Sequence, residues 1–174
     1  MHISATNPLP CTGPASYHFS RYNRVWGWAT WARAWRHNDP AITGWPAWKA
    51  QRAHHRHFPD PAERRFWEER WDAIHRGEHR EDWNWQWSLA CLMNGGKAIV
   101  PAVNLVTNLG FRPDATHTTN TDDSEAGLPT TALPTPLTHP STTDIDPAQD
   151  HLYRWQFLLP EAGSAPRRMG RRCG

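Results

Sequence analysis

The spacing of apolar residues changes period several times along this chain, and each change marks an element. Residues 81–117, EDWNWQWSLACLMNGGKAIVPAVNLVTNLGFRPDATH, read as one supersecondary unit. Trp83, Trp87 and Ala90 recur at helical spacing with Leu89 and Met93 beside them, which predicts a helix with one large apolar face. Asp82 stands at its N-cap position, and Gly95-Gly96 is where a helix ends and the chain reverses. Residues 98–103 form an apolar run of strand length. They pass into a polar loop carrying Asn104, Asn108, Asp114 and His117. Functional groups concentrate in such loops behind strand ends in α/β folds.

Upstream, His2-Ile3-Ser4 predicts a very short strand and Tyr17-His18-Phe19 a strand edge. Trp28, Trp31 and Trp35 lie at i, i+3 and i+7, which predicts one face of a helix running to about Arg36. Gly27, just before it, predicts close approach of the backbone to another element or to a ligand. Asp39-Pro40 stops that helix, and Trp45-Pro46-Ala47-Trp48 opens a shorter one ending in His54-His55-Arg56-His57. The clearest helix follows. Asp60 is its N-cap, Pro61 its first residue and Glu63 its third, with an apolar stripe at Trp67, Trp71 and Ile74 and an end at His75-Arg76-Gly77. Beyond His117 the composition shifts to Thr and Pro, which predicts an irregular or extended course to residue 143. Residues 150–159 regain Leu152, Tyr153, Trp155, Phe157 and Leu158, predicting a segment that docks back on the domain, and Arg167-Arg168 with Arg171-Arg172 predicts a basic tail.

Composition narrows the class. The chain has 174 residues, enough for one domain with a tail, and 12 of them are Trp and 16 Pro. Apolar area is therefore carried by large side chains whose indole N–H groups each want a partner. A formal charge of +2, from 19 basic and 17 acidic residues, gives no strong electrostatic case for nucleic acid or a membrane surface. Cys11, Cys91 and Cys173 share no metal or disulfide-framework spacing, so the reducing cytoplasm is the expected location. Met1 is not followed by a secretory signal pattern, and no apolar run approaches the ~18 residues of a membrane span.

Several groups are candidates for chemistry. Trp28, Trp31, Trp35, Trp67 and Trp71 read as helix core, while Trp26 or Trp28 beside Gly27 would suit a stacking platform for a sugar or a base. His54, His55 and His57 lack an acidic or Cys ligand at a useful spacing and read as solvated surface. A carboxylate at a helix N-terminus stays ionised easily, so Asp82, with Glu81 beside it, is either a general base or a plain N-cap. Asp114 and His117, three apart, could ligate a divalent ion or touch a phosphate. There is no glycine-rich phosphate loop, no GxSxG and no paired-Cys motif. The residues alone point to an α/β domain with an aromatic-lined polar site.

Three longer stretches add a resemblance. FSRYNRVWGWATWARAW (residues 19–35), DWNWQW (residues 82–87) and IVPAVNLVTNLGFRPDATHT (residues 99–118) resemble the bacterial hemolytic-protein-like, nucleotide-diphospho-sugar glycosyltransferases of the inverting family 2. Leu137-Thr-His139-Pro140 and Asp150-His-Leu-Tyr153 are similar to that family's closing segment, so the resemblance covers most of residues 1 to about 157. It implies an α/β fold. Residues 1–118 would be the acceptor-side half of a GT-A domain lacking its N-terminal nucleotide-binding strands and acidic metal motif. Residues 119–149 would be an extended Thr/Pro-rich segment, 150–160 the docking segment and 161–174 a disordered basic tail.

The implied chemistry is inverting transfer of a sugar from a nucleotide-diphosphate sugar to a hydroxyl of a glycan or lipid-linked acceptor. The family's WDYQW helix motif reads Trp83-Asn84-Trp85-Gln86-Trp87 here, and the Asn84 amide has no useful basicity. By resemblance, Asp82 or Glu81 would take the base role, and Trp26, Gly27, Trp28 and Trp85 the acceptor sugar. Asn104 and Asn108 would shape the loop beside the diphosphate, and Asp114 and His117 would hold metal. Mn²⁺ or Mg²⁺ would serve only with the missing half present, so the isolated chain is expected to be a truncated, catalytically incompetent glycosyltransferase. The rival expectation is a stand-alone Trp-rich carbohydrate-binding module without catalysis.

Overall fold

The computed structural model describes residues 1–9, 11, 13–79, 81–114 and 125–159. Four short strands, β1 (His2–Ser4), β2 (Tyr17–Ser20), β3 (Trp28–Thr30) and β4 (Ala98–Pro101), form one sheet in the order β2-β4-β1-β3. β1 runs parallel to β4, with His2 opposite Ala98, whereas β1·β3 and β2·β4 are antiparallel. The chain is thus mixed α/β. Alternation sets which face is covered: His2 and Ser4 of β1 are buried while Ile3 is half-buried, and β2 buries His18 and Ser20. The edges are β2 and β3, and Ile145 bridges to Phe19 on the β2 side.

The helices are α1 (Ala32–Trp35), α2 (Trp45–Ala50), α3 (Pro61–His75), α4 (Trp83–Met93) and α5 (Pro147–Tyr153). A 3-10 turn follows α2 at Ala53–Arg56, and a wider helical turn follows α5 at Arg154–Leu158. α3 starts where its capping residues place it: the Asp60 carboxylate accepts from the N–H groups of Ala62 and Glu63, with Pro61 in the first turn. α4 ends at Gly95 (φ 63°), where the Gly96 N–H donates to the Cys91 carbonyl at 2.7 Å. Asp82 occupies the N-cap position of α4 but makes no side-chain cap bond.

One element differs from its pattern. Trp28, Trp31 and Trp35 do not share a helix. Trp28 lies in β3 opposite Ser4, Trp31 is extended (φ −101°, ψ 145°), and α1 covers Ala32–Trp35 alone. Gly27 at φ 57° turns the chain, and β1 then offers residues 28–30 a pairing partner. Trp31 and Trp35 are accordingly 37% and 40% exposed instead of core.

The main core lies between α2, α3 and α4, where Trp45, Trp48, Phe58, Trp67, Trp71 and Leu89 pack together. Trp67 stacks on Trp71 at 5.0 Å and on Phe58 at 5.4 Å. Two of the buried indoles find acceptors for their polar edge: Trp45 Nε1 donates to Asp72 at 2.9 Å and Trp71 Nε1 to the Trp85 carbonyl at 3.1 Å. A second cluster, Ala34, Trp87, Ala90 and Cys91, packs with Met1, Trp28 and Trp83. α5 is fixed to the sheet by Asp150, which is 3% exposed and accepts from Ser20 Oγ at 2.6 Å and Arg21 Nε at 2.9 Å.

Candidate functional site: an aromatic cleft beside the start of α4

α4 packs against both cores, and Ser88, one turn from both Asn84 and Trp85, joins them on the part of its surface that lines a cleft. Opposite that face runs the connection from β2 to β3. Its backbone is pinned: Thr6 Oγ1 donates to the Trp26 carbonyl at 2.7 Å, His2 Nε2 meets the Arg24 carbonyl at 2.9 Å, and the Arg24 N–H donates to Ser4 Oγ at 3.3 Å. Between them is a cleft of about 150 Å³. Trp26, Trp67 and Trp85 supply its aromatic walls, Asn84 and Ser88 its amide and hydroxyl, and Arg24 and Glu125 its charges, with Tyr22, Tyr153 and Leu158 closing one side.

The aromatic walls are held edge-on. Trp26 meets Phe111 at 5.4 Å and 90°, and Trp85 meets Trp67 at 5.5 Å and 70°. The Arg70 guanidinium lies 5.0 Å from the Trp85 ring centroid, a cation–π contact that fixes that ring further. Trp26 and Trp85 are both half-buried, so each keeps apolar surface for a ligand.

Arg24 dominates the electrostatics. It is 4% exposed; Nη1 donates to Asn7 Oδ1, and the Tyr153 ring lies 4.5 Å from its Cζ. Nε and Nη2 have no acceptor among the described residues. Burial pulls the Arg24 pKa below the usual arginine range, opposed by the neighbouring Tyr153 and by the carboxylates of Asp150 and Glu125. Burial likewise pushes the Tyr153 phenol up to about 12. Neither Arg24 nor Glu125 was a candidate from the sequence, because nothing in the local pattern announces that an arginine between Asn23 and Val25 will be buried.

The cleft brings together Trp26 and Trp85 but not the other predicted groups. Trp28 stacks between His2 (5.2 Å) and Trp83 (4.9 Å) inside the second cluster. A Cβ on Gly27 would fall 2.8 Å from Val106 Cγ1 and 3.2 Å from the Ala5 Cβ, so the close approach there is to another element. Asp82 lies 3.8 Å from His79 Nδ1 and Glu81 is exposed; neither lines the cleft. Asn104 is a clamp: its Oδ1 accepts from the Asn7 N–H at 3.1 Å, and its Nδ2 donates to the carbonyls of Val106 (2.7 Å) and Pro129 (3.0 Å). Asn108 Oδ1 accepts from the Gly110 N–H at 2.8 Å, a local turn. Asp114 is exposed, with its carboxylate 3.5 Å from Arg112 Nε, and His117 lies outside the described residues.

A donor set other than Asp114 and His117 is present, and it does not suit the divalent ion that the resemblance implies. Among the described residues, the group that gathers ligand atoms is His54, His55 and Glu68, all within 4.8 Å. Mg²⁺ and Mn²⁺ prefer oxygen ligands, whereas this set is rich in nitrogen. His54 Nε2 sits 2.6 Å from Glu68 Oε1, which is a sufficient partnership without an ion. The sequence left these histidines without an acidic neighbour because Glu68 arrives from α3 only in the fold. No family model, curated protein or solved structure matches this chain.

Proposed function

We propose that the chain binds a sugar ring in the cleft between α4 and the β2–β3 connection, as the acceptor side of a nucleotide-sugar glycosyltransferase. One observation carries this reading: Trp26 and Trp85 wall the same small cleft as the Asn84 amide and the Ser88 hydroxyl. Indole faces cover the apolar C–H face of a sugar ring, while amide and hydroxyl groups pair with its hydroxyls. At about 150 Å³ the cleft falls below the roughly 300–1,000 Å³ typical of drug-sized pockets, which fits one ring and not an extended chain.

In the transfer reaction, an acceptor hydroxyl attacks the anomeric carbon of the donor while a base takes its proton. Asn84 stands in the cleft where a carboxylate would be useful, and its amide takes no proton. Asp82 lies outside the cleft. These residues therefore hold and orient the acceptor, and transfer needs a base and a donor site beyond those assembled here. A sugar-binding module with no catalytic role is the second reading; the amide at position 84 favours it. The two separate on the donor. Calorimetric titration of the full chain with neutral mono- and disaccharides should show saturable binding that survives EDTA and weakens at least tenfold in Trp85→Ala. Saturable, Mn²⁺-dependent binding of UDP-glucose would overturn the claim that the described residues assemble no donor site.

A further inference from the structure

We propose that His54, His55 and Glu68 bind a divalent transition ion of the kind that prefers imidazole nitrogen, with Zn²⁺ as its representative. The inference is independent of the sugar-binding reading.

The fold builds this set from two elements. Arg52 takes a left-handed conformation (φ 52°), and the 3-10 turn Ala53–Arg56 that follows buries His54 and leaves His55 half-buried beside it. The core fixes the His54 ring: it packs against Trp45 at 5.4 Å and Trp48 at 5.8 Å, and meets the His55 ring edge-on at 4.6 Å. Glu68 comes from α3, on a turn anchored by the buried Trp67 and Trp71. Arg64, one turn earlier, is engaged elsewhere, its Nη1 donating to the carbonyls of Phe58 at 2.8 Å and Pro59 at 2.6 Å.

The distances suit chelation. One ligand atom from each of the three residues lies within 4.8 Å of the other two. Ligands about 2.0–2.1 Å from a tetrahedral Zn²⁺ stand roughly 3.3 Å apart. His54 Nε2 and Glu68 Oε1 are closer than that, at 2.6 Å, so the ion opens this contact by roughly 0.7 Å. Glu68 supplies the movement, since its side chain is 29% exposed against 1% for His54. Access follows the same route: the group against Nε2 is this solvent-facing carboxylate, and the ion enters past Glu68 and His55 to replace the proton between Nε2 and Oε1. The neutral imidazole then carries its proton on Nδ1, which has no partner among the described residues. Two imidazole nitrogens and one carboxylate oxygen are the donors of a three-residue zinc site whose fourth position is left to water. The bound ion would tie the 3-10 turn to α3 and stabilise the folded chain by mass action.

The test is calorimetric titration of the full chain, stripped of metal with EDTA and dialysed, with zinc chloride and separately with magnesium chloride. Zn²⁺ should bind at one site per chain, at least a hundredfold more tightly than Mg²⁺, and should raise the urea midpoint. His55→Ala and Glu68→Gln should each weaken Zn²⁺ binding at least tenfold and abolish the rise in midpoint. His75→Ala, which removes an exposed imidazole at the end of α3, should leave the affinity within twofold. Histidine proton NMR of the unaltered protein should show Zn²⁺ perturbing the His54 and His55 rings and not the His2 ring, a readout that decides the matter even where a variant fails to fold. Absence of Zn²⁺ binding, equal affinity for Mg²⁺, or resonances of His54 and His55 that do not respond would overturn the inference. So would binding that persists in His55→Ala through the free Cys11 thiol or scattered surface imidazoles.

Discussion

His2 should make this protein acid-labile, through a mechanism visible in its two hydrogen bonds. The ring is fully buried, stacked 5.2 Å from Trp28, with Trp87 Nε1 donating to its Nδ1 at 3.1 Å and its Nε2 2.9 Å from the Arg24 carbonyl. Nδ1 must therefore be the acceptor and Nε2–H the donor, which satisfies a neutral imidazole completely. A proton on Nδ1 would set two N–H groups against each other and bury a charge. Burial holds the His2 pKa down at about 4, against 6.5 in an unfolded chain. Between those values the unfolded state binds more protons, so stability rises with pH across the window. The contribution is complete above pH 6.5 and is lost as pH falls toward 4. At about 1.4 kcal/mol per pH unit, the full effect is about 3 kcal/mol. His18, also held at about 4 by burial, acts in the same direction. Glu63 and Asp150, whose carboxyls burial pushes up, act in the opposite one. The ring itself is thus the cleanest reporter. Histidine proton NMR should show the His2 resonance still untitrated at pH 5.5, and urea midpoints read by Trp fluorescence should fall between pH 6.5 and 5. A His2 resonance that titrates near pH 6.5 would refute the reasoning.

Three further outcomes follow from packing. Gly27→Ala should lower stability by about 1–3 kcal/mol in denaturant unfolding, since a left-handed residue would drive a Cβ to 2.8 Å from Val106 Cγ1. Trp71→Ala should cost about 3–5 kcal/mol by the same measurement, because the ring is fully buried and stacked and its indole N–H holds the Trp85 carbonyl. Asp150→Ala, which strands Ser20 and Arg21, should cost about 3 kcal/mol or more. Hydrogen exchange should then accelerate in residues 147–158 well before it does in α3.

What could be read from the sequence was what local chemistry decides. The Asp60-Pro61 start and the Trp67, Trp71, Ile74 stripe define α3 because capping and helical period act within a few residues. The mixed α/β class follows from such short-range signals too, whereas the parallel pairing of β1 with β4 depends on bringing together residues 2 and 98, far apart in sequence. The Trp28–Trp35 spacing misled for the same reason: β1 recruits Trp28 into the sheet, and no local signal competes with that pairing. Gly27 announced a close approach, but only the fold names Val106 as its partner. In the site, Trp26 and Trp85 were legible as aromatic surface. Arg24 and Glu125 were not, because α4, α5 and the β2–β3 connection must converge before the charges share a cleft.

The most direct test of the central claim is saturation-transfer NMR of the full chain with a panel of methyl glycosides, neutral and uronic. If the cleft is a sugar site, ring C–H protons of at least one glycoside will receive saturation from the indoles, and Trp26→Ala and Trp85→Ala will abolish it while the protein stays folded. Absence of transfer to every glycoside, or transfer unchanged in both variants, would contradict the account.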